Sequence, residues 1–421
     1  MRTVETINAI IMALFFLCYS YQFVYLAIGL FAKPKKTEAA APHRRIAVLI
    51  AARNEEAVIG QLLDSVRAQN YPSELLDAYV VADNCTDATA VIARAHGAEV
   101  FARQDTRHVG KGYALQFLLD RIRERRHYDA YLVLDADNIL DPNFVREITA
   151  VHDQGYGVVT CYRNSKNYGD NWISAGYALW FLREARYLNG ARMAAGASCA
   201  VSGTGFLFSD EVLRKCGGWH FFLLTEDIEF TIDNVVRDVK IGYARNAVLY
   251  DEQPTLFRQS WRQRMRWSKG YLQVFGKYGG KLIRGILRGS FSCYDMAMNI
   301  MPAAILTGAS AVINLGAAVY AFAGGGSLPA LGLSVLQTLG SLYLTLFLLG
   351  AVTTVTEWKS IHCSAGKKVL YAFTFPLFML TYLPICAASL FARPEWKPIQ
   401  HRRSMTLDQI RTAALPDSRG A

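Results

Sequence analysis

Cysteine is sparse in this chain and never paired. Cys18, Cys85, Cys161, Cys199, Cys216, Cys293, Cys363 and Cys386 are its 8 cysteines, with no C-x-x-C and no spacing that suits zinc. That excludes a zinc ribbon and argues against a disulfide framework, leaving ordinary thiols in a reducing compartment. Internal repeats and low-complexity tracts are also missing, which excludes solenoids and disordered linkers. Acidic residues are outnumbered, 35 against 45 basic ones, for a net charge of +10. Because Lys and Arg gather beside the apolar segments and in Arg258 to Lys281, lipid head groups and a phosphorylated substrate fit this excess better than nucleic acid does.

Charge is missing altogether from Ile7 to Ala32, and Lys33, Lys35 and Lys36 follow at once. A run of that length crosses a hydrocarbon core of roughly 30 Å. It exceeds a signal-peptide h-region and has only Arg2 before it, so residues 1–32 are expected to be an uncleaved anchor, with the chain after it on the cytoplasmic side. With 421 residues, 52% of them hydrophobic, and a mean hydropathy of +0.14, the chain belongs to a membrane class.

Between the anchor and the later apolar stretches lies a soluble α/β unit. Residues 33–44 read as a polar linker with Pro34 and Pro42, and residues 45–251 as one domain. Ile46 to Ala52 is an apolar run suited to a buried parallel strand, and Asn54 to Val66 has helical spacing behind an Asn cap. Ala78 to Ala82 is a strand ending at Asp83, Thr86 to Ala95 a helix, and Glu99 to Phe101 a further strand; Tyr131 to Leu134 ends at Asp135. Strands running into acidic loops matter because open α/β sheets bind ligands beyond the carboxyl ends of their strands.

Residues 252–290 change character. Arg258 to Phe275 mixes Trp261, Trp267, Tyr271 and Phe275 with five Arg and Lys residues, an amphipathic helix for the membrane surface. Three apolar stretches follow within residues 291–392, at Met296–Ala323, Leu331–Thr356 and Val369–Ala392, before a polar tail at 393–421. Four spans would place the two termini on the same, outer side. Arg393, Lys397, His401, Arg402 and Arg403 call for the inside instead, so the third stretch, with Pro376 and Pro384, is either a span or a broken, re-entrant segment.

Several short motifs carry chemistry. Asp135-Ala-Asp137 puts two carboxylates on one loop, able to hold a hard cation that also binds phosphates. Asp83 stands at a strand tip, Glu55 follows the first strand, and Lys111 is flanked by glycines that let backbone approach an anion. Ser202-Gly203-Thr204-Gly205 is a side-chain-poor loop, either a plain turn or a door for an acceptor. Thr225-Glu226-Asp227 reads alone as a capped helix start with acids in its first turn. Gln263-x-x-Arg266-Trp267 lies 36 residues beyond Asp227, and a base followed by groups for a diphosphate suits transfer from a phosphate leaving group to a hydroxyl.

In this order the motifs resemble the processive glycosyltransferases of family 2, which include cellulose, chitin, hyaluronan and bacterial exopolysaccharide synthases. The stretch Val80 to Thr89 with His108 to Leu115 is most similar to the exopolysaccharide branch. The resemblance implies a GT-A type, Rossmann-like nucleotide-sugar domain with flanking transmembrane helices, in a multi-pass protein of the cell membrane whose catalytic domain is cytoplasmic. It also implies a UDP-sugar donor and Mg2+ or Mn2+. Asp83 would then take the uracil or ribose, with Glu55 and Lys111 near base and diphosphate, Asp135 at the ribose and diphosphate, and Asp137 on the metal. Asp227, with Thr225 and Glu226, would be the general base for inverting transfer that builds a β-linked exopolysaccharide. Gln263, Arg266 and Trp267 would hold the diphosphate and the acceptor end, and Ser202, Gly203 and Gly205 the acceptor loop.

Two departures bear on the product. The acceptor loop lacks the cysteine of cellulose synthases, which counts against glucan synthesis, and three or four spans instead of eight count against a single-chain pore, leaving room for a homo-oligomer or an export partner. The alternatives are transfer of one sugar to a membrane lipid or polyprenyl-linked acceptor, and a transporter or scaffold with an inactive nucleotide-sugar domain.

Overall fold

The computed structural model describes residues 2–32, 43–324, 328–392, 401 and 403–412. Lys33, Lys35, Lys36, both linker prolines, Arg393, Lys397 and Arg402 lie outside the described residues.

Eight strands form one mixed sheet: β1 (Ile46–Ala52), β2 (Leu76–Asp83), β3 (Glu99–Arg103), β4 (Ala130–Asp135), β5 (Ile139–Leu140), β6 (Val158–Ser165), β7 (Phe206–Ser209) and β8 (Ile241–Asp251), in the order β3-β2-β1-β4-β7-β6-β8-β5. The first half is parallel, with Ile46 opposite both Leu76 and Ala130. Its central strands β1 and β4 are nearly continuous apolar runs because helices cover both faces. Leu115, Leu118, Leu179 and Ile228 pack on one face, and Ile59, Leu62, Phe144 and Ile148 on the other. β7 runs antiparallel to β4 and to β6, and β8 runs parallel to β6, so β1, β2, β4, β6 and β8 all end at one edge.

The expected α/β sheet is borne out, with two local corrections. Asn54 is no helix cap, since the helix begins at Ile59; Asn54 instead takes a left-handed backbone (φ 58°) and its Oδ1 accepts the Thr86 amide at 2.8 Å. The following helix begins at Thr89 instead of Thr86, because Asp87 turns back to accept the Thr89 amide at 3.0 Å. Both changes clamp the loops after β1 and β2 together.

The expected anchor is two helices, Arg2–Tyr19 and Tyr21–Phe31, bent by 42° at their break. Tyr21 and Tyr25 donate to Asp295, which also pairs with Arg192 at 2.7 Å; Tyr25, Arg192 and Asp295 are buried and Tyr21 is half-buried. A bidentate buried pair fixes geometry more than it adds stability, and here it ties the N-terminal helices to the catalytic unit. The amphipathic helix runs from Phe257 to Leu287, longer than its sequence pattern indicated, and buries Ser260, Arg264, Val274, Tyr278 and Leu282 along one stripe.

Of the three later stretches, the first is broken at Met301 and continues as the apolar helix Pro302–Ala323. Leu339–Thr356 and Ala365–Phe391 are long and apolar enough to cross, by length and composition. The last stretch is held to the α/β unit at one point and to the amphipathic helix at two. Lys367 Nζ reaches the Gly169 carbonyl (2.7 Å), Arg264 holds the Phe378 carbonyl (3.1 Å) and Lys269 the Leu390 carbonyl (3.2 Å). Beyond it the tail returns to the sheet: Ile410 is fully buried against Ile139 and Tyr250, and Arg411 pairs with Asp141 at 2.7 Å. The described end of the tail therefore lies on the face that carries the catalytic unit.

Candidate active site

At the shared strand edge a cavity of about 1310 Å³ opens, lined by the loops after β1, β2, β4 and β8 and by the amphipathic helix. Glu55, Asp83, Lys111, Asp135 and Asp137 line its inner end. Ser202, Gly203, Thr225, Glu226 and Asp227 line its middle, and Gln263, Arg266 and Trp267 its membrane side. Gly205 does not line it. That residue is buried at φ 67° with Leu249 and Cys161 where a Cβ would stand, so it shapes the turn and cannot receive an acceptor.

The inner end is built on backbone. Asp135 terminates β4, and its amide is held by Asn138 Oδ1 (3.0 Å) and Thr204 Oγ1 (2.9 Å). Thr204 is therefore a strut between the Asp135 turn and the Ser202 loop, a role that a turn-rich sequence does not announce. Lys111 opens its helix, and its ammonium binds Asp135 and the Gly203 carbonyl. Burial alone would lower this lysine's pKa, but Asp135, Glu226 and Asp227 raise it, so it stays a cation. Gly112 is indispensable beside it, because a Cβ there would stand 2.0 Å from the Phe221 carbonyl.

Asp83 does not stand free at its strand tip. Arg103 binds it at 2.6 Å; burial nonetheless raises its pKa. Asp137 is buried and accepts the Glu252 amide at 2.8 Å. Burial would raise its carboxyl, but His401, Lys166 and Arg163 pull it below its ordinary value. Among the described residues no three His, Cys, Asp or Glu side chains form a ready-made metal cluster. Asp137 with one oxygen of Asp135 suits instead a cation that completes its shell with substrate phosphates and water.

Glu226 and Asp227 begin the helix Glu226–Val236. Burial and the Asp227 charge push the Glu226 carboxyl up to about 7. Asp227 is also raised by burial, and is restrained by the Ile228 amide, Lys111, the Gly203 amide and Arg266. Thr225, read as a possible cap, makes no cap bond; its hydroxyl is buried without a partner, pressed on Gly270 of the amphipathic helix. Arg266 donates to the Leu224 carbonyl at 3.2 Å, and the Trp267 indole meets Tyr177 edge-on at 5.7 Å and Phe181 at 6.3 Å. The two motifs, 36 residues apart in sequence, thus meet at one wall.

Four cavity residues carried no sequence signal. Arg163 of β6 holds Asp251 at the end of β8 (2.6 Å) and the Ser202 carbonyl (3.0 Å). Glu184, at the head of a π-helical turn Glu184–Asn189, accepts from Ser202 Oγ at 3.3 Å. Tyr271 faces the acids from the amphipathic helix, and His401 arrives from the tail.

The far half of the cavity is apolar. Val312, Leu342, Leu346, Leu383, Leu390 and Phe391 line it, several of them exposed on the apolar helices that follow the amphipathic one.

Residues 42–270 match the glycosyltransferase like family 2. The chain belongs to that family. It is 25% identical over 239 residues to a beta-monoglucosyldiacylglycerol synthase of Synechocystis, covering 56% of this chain and 50% of the relative. It is 27% identical over 236 residues to a poly-beta-1,6-N-acetyl-D-glucosamine synthase of Staphylococcus aureus, covering 54% and 55%. The chain thus spans about half the length of these relatives. The fold is similar to that of a mannosyltransferase from Pyrobaculum calidifontis, solved with GDP-Man and Mn2+, at a TM-score of 0.58 and 18% identity over 91% of this chain and 98% of that one. The family 2 glycosyltransferase therefore has the GT-A, Rossmann-like fold, with apolar helices that mark it as membrane-associated.

Proposed function

We propose that this glycosyltransferase moves one sugar from a nucleotide-diphosphate donor to a hydroxyl of a lipid-borne acceptor, with inversion. The observation that carries this reading is the cavity, which runs from the carboxylates Asp135, Asp137 and Asp227 to the lipid-side residues Val312, Leu346 and Phe391. A glycolipid can keep its acyl chains among those apolar groups while its head meets the acids. A hydrated polymer would leave the same wall poorly solvated.

In this reading Asp227 takes the proton of the acceptor hydroxyl as its oxygen attacks the anomeric carbon. The bond to the diphosphate breaks on the opposite face, giving a β-linkage and a free nucleoside diphosphate. A positioned carboxylate of this kind is typically worth on the order of 100- to 10,000-fold. Burial and the Asp227 charge raise the Glu226 carboxyl beside it, and Thr225 sets the pair against Gly270. Lys111 and Arg266 meet the growing charge of the diphosphate, and Asp83 with Glu55 faces the nucleoside. Asp137, with Asp135, would hold a divalent cation, Mg2+ or Mn2+, whose charge assists departure of the diphosphate. Ser202 and Gly203 border the acceptor, while Gln263 and Trp267 close the membrane side.

The domain plan carries over as part of the proposal: an anchor at 1–32, the catalytic unit at 45–251, the amphipathic helix within 252–290 and membrane-bound helices to residue 392. The catalytic face is cytoplasmic. Ala365–Phe391, long and apolar enough to cross, touches the α/β unit through Lys367 and the amphipathic helix through Phe378 and Leu390; a re-entrant course for it would leave the tail inside, as its basic residues require.

A second reading is synthesis of a β-linked exopolysaccharide, favoured by the Gln263, Arg266 and Trp267 set and by the poly-N-acetylglucosamine synthase relative. It would need a second copy or an export partner, which the single-sugar reading does not. Purified protein in nanodiscs, given UDP- and GDP-sugars in turn, should release nucleoside diphosphate in proportion to added diacylglycerol or another lipid hydroxyl. Release that ignores every lipid acceptor would count against the proposal.

A further inference from the structure

Two carboxyls hang on consecutive residues of one loop. Asp227 is restrained by the Gly203 amide, and Glu184 accepts the Ser202 hydroxyl at 3.3 Å. Neighbouring Cα atoms stand about 3.8 Å apart, so the two acids come to one stretch of the cavity wall, and the Asp227 charge is felt at Glu184. Only Asp227 has a task in the transfer.

Glu184 does not sit on an ordinary helix. The helix Trp172–Arg183 gives way at this residue to the π-helical turn Glu184–Asn189, and such wide turns are rare and concentrate at functional sites. Burial raises the Glu184 carboxyl, while Arg192 and Arg163 pull the other way. The Ser202 hydroxyl occupies Oε2, and Oε1 makes no hydrogen bond among the described residues. Tyr271 closes the same wall from the amphipathic helix. Burial, Glu184 and Asp227 hold its phenol above the ordinary pKa, so it keeps its proton, and it too makes no hydrogen bond among the described residues. A hydroxyl donor and a carboxyl oxygen left open beside the base cost free energy until a group with matching polarity fills the space. The apolar half of the cavity supplies none.

We propose that Glu184, with the Tyr271 hydroxyl beside it, determines acceptor specificity: it accepts a hydrogen bond from a second hydroxyl of the acceptor, next to the one that Asp227 deprotonates. The favoured acceptor is then a vicinal diol, carried by the glycerol of a monoacyl lipid or by the sugar of a glycolipid. The inference rests on the base and the lipid-borne acceptor of the proposed function and deepens that reading. A lone alcohol reaches Asp227 but leaves Glu184 Oε1 and the Tyr271 hydroxyl unmatched. Diacylglycerol, with its single hydroxyl, is therefore a slower acceptor, by the roughly 10- to 100-fold that a hydrogen bond to a charged group is worth.

The test is kcat/KM of the full chain in nanodiscs for 1-monoacylglycerol, a monoglycosyldiacylglycerol, diacylglycerol and a long-chain alkanol. The wild type should favour at least one of the two diols over both single alcohols by about 10- to 100-fold, and the faster diol tells whether glycerol or sugar carries the second hydroxyl. Glu184→Ala should bring this ratio close to one. Tyr271→Phe should lower it by about 2- to 10-fold, the worth of a neutral hydrogen bond. Glu184→Gln, which keeps an oxygen for Ser202, should lower it as well. A Glu184 that merely braced the Ser202 loop would slow all acceptors alike and leave the ratio unmoved. Wild-type transfer to lipids without diol preference, or a Glu184→Ala ratio equal to wild type, overturns the inference. A preference for a methyl glycoside over propanol that Glu184→Ala loses, with no transfer to any lipid, keeps Glu184 as the determinant and removes the lipid-borne acceptor instead.

Discussion

Arg266 Nη1 donates to the Leu224 carbonyl at 3.2 Å, so the amphipathic helix grips the residue just before Thr225-Glu226-Asp227. The acid pair is thereby held by the amphipathic helix. A lysine at 266 would keep the charge but lose the planar fork that serves both the carbonyl and an anion. Arg266→Lys is expected to lower the initial rate of transfer by about 10-fold or more, on the scale of one misplaced electrostatic donor.

Gly270 and Thr225 form the second joint between these elements. A Cβ at 270 would stand 2.5 Å from Thr225 Oγ1 and Cγ2, well inside contact distance. Gly270→Ala should therefore displace Thr225 and its neighbours and cost roughly 1–3 kcal/mol of stability, as overpacking does. Thr225→Ala removes both colliding atoms. The double variant is expected to recover most of the activity and melting temperature lost by Gly270→Ala, an outcome that a simple helix defect would not give.

The acid pair sets the pH response. Both carboxyls are raised, that of Glu226 to about 7 and that of Asp227 above its ordinary value, so the rate should climb with pH as the pair ionises. Glu226→Gln removes a negative neighbour, which should move this limb to lower pH. Stability follows the opposite course. A carboxyl whose folded pKa lies above its unfolded value loses its stabilising contribution as pH rises toward the folded value. Glu226→Gln should then raise the melting temperature more at pH 8 than at pH 5, measured by thermal unfolding in nanodiscs.

Asp227→Asn preserves shape and removes the base. Transfer should fall by on the order of 100-fold or more while nucleotide affinity stays within a few-fold, by initial rates and calorimetry. Retained turnover would refute the base assignment.

The apolar half of the cavity can be blocked away from the chemistry. Leu346→Trp fills the channel between the acids and the lipid side, so transfer to a long-chain acceptor should drop at least about 10-fold, as a lost or distorted subsite commonly costs, while slow hydrolysis of the donor persists. Equal loss of both activities would point to damage at the acids.

Much of this was legible in the chain because it is local. The strand runs at Ile46, Val80 and Leu132 have no helical period, and Asp83 and Asp135 follow them directly, so the sheet edge and its acids can be read in order. Thirteen of the fourteen residues picked from motifs line the cavity, and Gly205 fails because a glycine chosen for a tight turn looks the same as one chosen for access. What could not be read is long-range. Arg163 finds Asp251 across two strands, and His401 finds Glu55 across 346 residues, where the sequence shows only a basic tail. The third apolar stretch, which the sequence leaves as either a span or a re-entrant segment, is long and apolar enough to cross, but length and hydropathy do not reveal that Lys367 reaches Gly169 while Phe378 and Leu390 meet the amphipathic helix.

The most direct measurement is the size and solubility of the product. Purified protein in nanodiscs containing diacylglycerol is given a labelled nucleotide-sugar and Mn2+, then extracted with chloroform and analysed by mass spectrometry. The account expects label in the organic phase at the mass of the lipid plus one sugar, absent with Asp227→Asn. Label in a water-soluble polymer, with none on lipid, would contradict it.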